Sequence, residues 1–190
     1  MRRSARGYTL IEIMMALVVL AIGATGIFSL QAVAVHANDH ARDTTEATTV
    51  ARWWMEQLRR DALLWDGVQS CPASMGTTQY LGLAGCAQIV GAWFTPAMPL
   101  TEGGGAQEPM GRELEVLPAG DPQGRYCAQL RLSPLRVNRL IRAEVRVWWR
   151  RAGSDRTLWP DCGAGTELVM ETDTTNLHWL YLASTMEPPS

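Results

Sequence analysis

Apolar residues run almost unbroken from Ile13 to Val35, and no Asp, Glu or Arg interrupts the chain between Ile13 and Asn38. About 20 apolar residues in helical conformation cross a bilayer core, so this run is long enough to do so. Beyond Asn38 the pattern becomes amphipathic. Ala47, Val50, Trp54, Leu58, Ala62 and Trp65 recur every three or four positions, which is one face of a helix. Arg52, Glu56, Arg59 and Arg60 fall between them, and Glu56 with Arg60 makes an i,i+4 pair. No proline occurs before Pro72. The pattern therefore predicts one long helix from residue 8 to about 66, weakened at Gly23 and Gly26 and ended at Gly67.

The period then changes to two. Leu140 to Arg150 alternates strictly: Ile141, Ala143, Val145, Val147 and Trp149 face one way, and Arg142, Glu144, Arg146, Trp148 and Arg150 the other. One side of this strand is expected in the core and the other in water. Further strands are predicted at 89–94, 113–117, 126–132, 168–170 and 177–183, separated by Gly- and Pro-rich loops. A helix followed by antiparallel strands gives an α+β fold: a long amino-terminal helix packed on a carboxy-terminal sheet. The expected divisions are 1–7, a basic leader; 8–37, the apolar half of the helix; 38–66, its amphipathic half; and 67–190, a β-sheet head.

Composition narrows the chemistry. The chain has 190 residues, a formal net charge of −2, and 17 basic residues of which every one is arginine. Without lysine there is no Walker-A phosphate loop and no Schiff-base catalysis. There is no GxSxG and no HExxH, so no enzyme is expected, and neither a cofactor nor a small-molecule substrate. His36 and His40 with Asp39 and Asp43 have helical metal-ligand spacing but no fixed third ligand, so no metal site is assigned. The acidic balance argues against nucleic-acid binding as the main role.

Arg2, Arg3 and Arg6 precede the apolar run, which keeps that end in the cytoplasm and sends the rest across the membrane. A secretory signal peptide, with Ala32-Val33-Ala34 as its cleavage site, and a plain anchor both fit this much. Neither gives a purpose to Glu12, whose carboxylate in hydrocarbon costs about 2.5–3.5 kcal/mol on insertion scales. All four cysteines would lie outside the cytoplasm, where thiols oxidise. Of three connectivities, Cys71–Cys86 with Cys127–Cys162 links the nearest segments. Seven arginines between Arg131 and Arg151 accompany a single acid, Glu144. A solvated sheet face explains them. Two sharper readings are docking of a partner through Arg142, Arg146, Trp148 and Arg150, and nucleic-acid capture by arginine beside Trp148.

Gly7-Tyr8-Thr9-Leu10-Ile11-Glu12, after a basic leader and before an apolar helix, resembles the amino-terminal signal of type IV prepilins. The resemblance implies a pilin-like fold, cleavage after Gly7 by prepilin peptidase, methylation of the new terminus at Tyr8, and an assembly role for Glu12. Tyr8 departs mildly from the family's usual phenylalanine. The run Leu17 to Gly23, Leu30-Gln31 and the segment around Met55-Glu56 resemble most the type IV pilus modification protein PilV family, whose members are minor pilins. Its partners would be the peptidase, the major pilin, other minor pilins and a large tip adhesin. The chain would sit in the inner membrane with its head in the periplasm and then enter a surface filament. A minor pseudopilin of type II secretion shares the same amino-terminal grammar. A membrane-tethered receptor for DNA uptake is the alternative of another class.

Overall fold

A computed structural model describes residues 9–67, 75, 78–84, 91–96, 110–111, 117, 124–151, 162, 173 and 175–189. The chain divides into two compact units, Met1–Asp43 and Thr44–Ser190. Helix α1, Leu10–Ala62, contributes to both.

In the first unit the helix carries no charged side chain on any face from Ile13 to Val35. Its few hydroxyls are satisfied by its own backbone. Thr25 Oγ1 donates to the Ile22 carbonyl at 2.8 Å, and Ser29 Oγ to the Thr25 carbonyl at 3.1 Å. Such back-bonding lets a hydroxyl sit among apolar groups without an orphan donor. No side-chain or backbone atom approaches the Cβ positions of Gly23 or Gly26, so neither glycine is demanded by packing here.

In the second unit the predicted stripe is buried throughout: Ala47, Val50, Trp54, Leu58, Ala62 and Trp65. It shares one core with Leu130, Leu132, Ile141, Ala143, Val145 and Val147 of the sheet. The helix ends four residues before the predicted limit, and three i→i+3 bonds carry the chain on through Trp65. Tightening of this kind satisfies the last carbonyls of a helix. On the solvent side Glu56 pairs with Arg59 at 3.6 Å, not with Arg60 as expected. Both side chains are more than half exposed, so rotamer freedom selects between neighbours of nearly equal energy.

Asp61 lies on the last turn and is buried. Its carboxylate accepts the backbone N–H groups of Gln79, Tyr80 and Leu81 at 2.6, 2.8 and 2.8 Å. This fastens the segment leading into a short 3₁₀ turn, Leu81–Ala84. The Tyr80 hydroxyl is pushed up to about 12 by burial and by the nearby Asp61 charge.

The sheet is an antiparallel meander of β1 (Tyr126–Arg136), β2 (Leu140–Arg150) and β3 (Leu177–Met186) in that order. The strand at 140–150 lies where expected, 126–132 continues to Arg136, and 177–183 continues to Met186. Phe94 makes only an isolated bridge to Leu130, and Met110 another to Tyr126. The strands expected at 113–117 and 168–170 lie essentially outside the described residues. The β1–β2 turn places Asn138 at φ 56°, a left-handed conformation that asparagine tolerates better than most side chains.

Candidate functional site

Thr9 is the last residue before the helix, and Glu12 stands in its first turn. The Glu12 backbone N–H donates to the Thr9 carbonyl at 3.1 Å and lies 3.4 Å from Thr9 Oγ1. Thr-x-x-Glu at a helix start is the pattern of a capping box, in which the threonine oxygen receives an orphan N–H of the first turn. The Thr9 role was readable from that spacing and is an addition to the sequence-derived set. Gly7 and Tyr8 lie outside the described residues. Behind the cap, helix α1 contains a window with a mean hydropathy of 2.4 and none of it buried. An all-round apolar helix has no stable home in water and needs a lipid or protein environment.

The arginine-rich strand differs from expectation. Its second face is not wet: Arg146 is 2% exposed and Trp148 0%, and Glu144 is also buried. Only Arg142 is exposed, with Arg150 half-buried. The reason is cover from segments distant in sequence. Trp93 lies over this face with the Arg146 and Arg131 guanidinium carbons 4.5 and 4.7 Å from its ring centre. Arg146 Nε and Nη2 also donate to Gln129 Oε1 at 3.1 and 2.5 Å. Guanidinium groups stack on indole because the ring face is electron-rich and the cation is weakly hydrated. Trp148 packs in a second small core with Cys127, Cys162 and Leu177. Arg146 and Trp148 are therefore interior groups, unavailable to a docking partner or a nucleic-acid base without unpacking this face.

Glu144 organises the rim. Arg131 binds it through Nε and Nη2 at 2.7 and 3.0 Å, and Arg142 Nη2 approaches at 2.9 Å. The Arg131 hydrogen bonds hold the Glu144 carboxyl below its ordinary range, against the opposing effect of burial. A depressed carboxylate stabilises the fold above its unfolded pKa, and that contribution disappears as pH falls through the folded value. The expected outcome is a fall in stability below about pH 4.5 that Glu144→Gln flattens. Urea midpoints of the full chain in detergent, taken from pH 7 to pH 3, would show identical acid limbs for both proteins if the pair contributes nothing.

Cys127 and Cys162 form a disulfide with a Cα–Cα distance of 5.3 Å, as their proximity in the chain suggested. The Cys162 carbonyl also accepts a hydrogen bond from Thr95 Oγ1 at 2.8 Å. Bridge and bond tie two loops to the Trp93 face. Cys71 and Cys86 lie outside the described residues.

Residues 2–28 match the family model described as "Prokaryotic N-terminal methylation motif". No curated protein and no solved structure matches the chain. Over its amino-terminal segment the chain is type IV prepilin-like, with a helix behind the motif that fits single-pass membrane anchoring. The α+β layout, a long amino-terminal helix followed by a three-stranded antiparallel sheet, is pilin-like.

Proposed function

We propose that this chain is a minor pilin: a non-catalytic subunit that helps to start a type IV pilus or forms part of its tip. The observation that carries this is the methylation motif over residues 2–28, joined to an apolar helix and a separate sheet-bearing head. Prepilin peptidase cuts after Gly7 and methylates Tyr8. The helix waits in the inner membrane with its amino terminus in the cytoplasm and the head in the periplasm. It then transfers into the bundled helices of a filament, beside the major pilin, other minor pilins and a large tip adhesin. A type II secretion pseudopilin uses the same steps, and the presence of the chain in surface filaments separates the two.

Glu12 is the group expected to guide that transfer. Cleavage creates an amine at Tyr8, and in a low-dielectric helix bundle an amine and a carboxylate from neighbouring subunits relieve one another's burial cost. Glu12→Ala removes that attraction and the insertion cost together, so membrane levels hold while incorporation falls several-fold. The measurement is the amount of chain in sheared filaments at matched membrane levels. Equal amounts in wild type and variant would remove Glu12 from docking. Absence of the wild-type chain from filaments would overturn the pilus assignment.

A further inference from the structure

The sheet has two edges, and the chain treats them differently. Along the outer edge of β1, Leu130 exchanges main-chain hydrogen bonds with Phe94 at 2.8 and 2.9 Å, and Tyr126 with Met110 at 2.9 and 3.1 Å. The same strand carries Pro134 and a shift of register between Pro134 and Arg136. Cover, proline and irregularity are devices by which proteins keep an edge from pairing with a foreign strand. β3 has none of them among the described residues. Leu177–Met186 runs in unbroken register against β2, and it contains no Asp, Glu or Arg, no proline and no glycine.

The ladder shows which groups this edge presents. The Arg151 N–H donates to the Asn176 carbonyl at 2.7 Å, one step beyond the Arg150–Leu177 pair. In an antiparallel pair, hydrogen-bonded and non-hydrogen-bonded positions alternate. The Asn176 carbonyl faces β2, and so do the main-chain groups of the even-numbered residues of β3. Trp179, Tyr181, Ala183 and Thr185 therefore turn their N–H and C=O groups away from the sheet. All four residues are exposed, and among the described residues none of these outward groups meets a main-chain partner. The side chains at this edge are only half covered. On the helix side Leu180 and Leu182 pack against the core but stay partly buried. On the other side Trp179 and Tyr181 are 36% and 54% exposed, although the Tyr181 ring lies 5.8 Å from that of Trp93. The strand is also held at both ends. The Asp173 carboxylate accepts the Asn176 N–H at 3.0 Å before it, and Pro188 lies against Gly67 after it. A template already in its bound shape avoids the entropy cost of being ordered.

The chemistry of the edge fixes what completes it. Outward N–H and C=O groups at alternate residues match another extended backbone, and pockets for alternate side chains select its sequence. Leucines on one face and Trp and Tyr on the other favour a segment without charges. We propose that β3 takes up an extended, uncharged segment of a different protein as a fourth strand, paired through Trp179, Tyr181, Ala183 and Thr185. This inference rests on the minor-pilin reading above: a minor subunit stands among unlike neighbours, so the strand comes from one of them and not from a second copy. The added strand covers the open sides of Leu180, Leu182, Trp179 and Tyr181.

The test uses the full chain in cells with a working filament machinery. p-Benzoylphenylalanine replaces Tyr181, Ala183 or Thr185 in separate variants. Irradiation is expected to join each variant to one and the same other protein. The attachment site should advance along that protein by about two residues for each step along β3, always in one direction, as the two-residue repeat of paired strands requires. Ala183→Pro removes only an outward N–H, a position where an edge strand tolerates proline. It should lower the Tyr181 adduct at least fivefold, as should Ala183→Lys, while Ala183→Thr should not. Ser184→Pro removes a bond to β2 and should lower the urea midpoint of the chain in detergent, whereas Ala183→Lys should leave it unchanged and so carries the test if Ala183→Pro also unfolds the head. No protein adduct, an adduct with a second copy, attachment sites that do not advance in register, or a yield indifferent to Ala183→Lys would each overturn the proposal. Mass spectrometry of the amino terminus in the same cells separates the two readings. A chain that begins at Tyr8 and enters filaments without the adduct refutes the added strand alone. A chain never cleaved at Gly7 refutes the prepilin reading beneath it.

Discussion

Asp61→Ala is expected to destabilise the head by about 3–5 kcal/mol, since each buried donor left without an acceptor costs about 1–3 kcal/mol. The wild-type carboxylate accepts three backbone N–H groups, those of Tyr80 and Leu81 in buried bonds and that of Gln79 in a part-buried one. Alanine supplies no acceptor, and the Tyr80 and Leu81 N–H groups are buried. Against a typical domain stability of about 5–15 kcal/mol, the loss is a large fraction of the whole. Asp61→Asn keeps one acceptor oxygen with nearly the same shape and should lose roughly half as much on the same scale of about 1–3 kcal/mol per orphaned donor. A second readout is the Tyr80 hydroxyl, at about 12 in the wild type with burial as the larger cause and Asp61 the smaller. In Asp61→Asn it should titrate lower, yet still above an ordinary tyrosine. Urea unfolding and ultraviolet titration give the two numbers. A loss below 1 kcal/mol for Asp61→Ala would mean that the loop finds other acceptors.

Asp61 also marks where the amino-acid pattern stops informing. At the end of an amphipathic helix, beside Arg59 and Arg60, an aspartate looks like one more surface charge. Its partners lie 18–20 residues further on, in a segment with no periodicity of its own. The helix stripe from Ala47 to Trp65 was legible because a 3.6-residue period records a local geometry. The alternation in β2 was legible for the same reason, and its apolar face is in the core. What alternation cannot record is a cover delivered from elsewhere. A period of two says that two faces differ, not whether the more polar one meets water. Trp93 and the Cys127–Cys162 pair close over it, and arginine suits such a site because its stem is apolar and its planar head stacks on indole. Reversing Arg146 with Arg142 and Arg150 is thus a core substitution as well as a surface one, and cannot by itself report on docking. The amino-terminal motif was legible because its meaning lies in short spacing, a glycine and a glutamate ahead of a long apolar run, and the structure adds the capping position of Thr9.

Gly7→Val is expected to leave the leader on at least nine-tenths of the chains. A peptidase that cuts after residue 7 must draw the backbone there into its catalytic groups. Glycine allows that approach because it has no Cβ and accepts extended and turned conformations alike. Valine adds a branched side chain at the scissile bond and stiffens the residue. Nothing else about the chain is asked to change. The apolar helix is intact, so membrane levels should match wild type, and the head should unfold at the same urea concentration. The uncleaved chain keeps Arg2, Arg3 and Arg6 and never gains an amine at Tyr8, so it should also be missing from sheared filaments. Gly7→Ala, with one methyl and no branch, should be cut slowly and give a mixture. Intact-mass spectrometry separates these outcomes, since the wild-type chain should begin at Tyr8 with a single added methyl. A wild-type terminus near Val35 or Asn38 would instead show ordinary signal-peptide cleavage. In that event the helix would be lost from the mature protein, and Glu12 and its capping threonine with it.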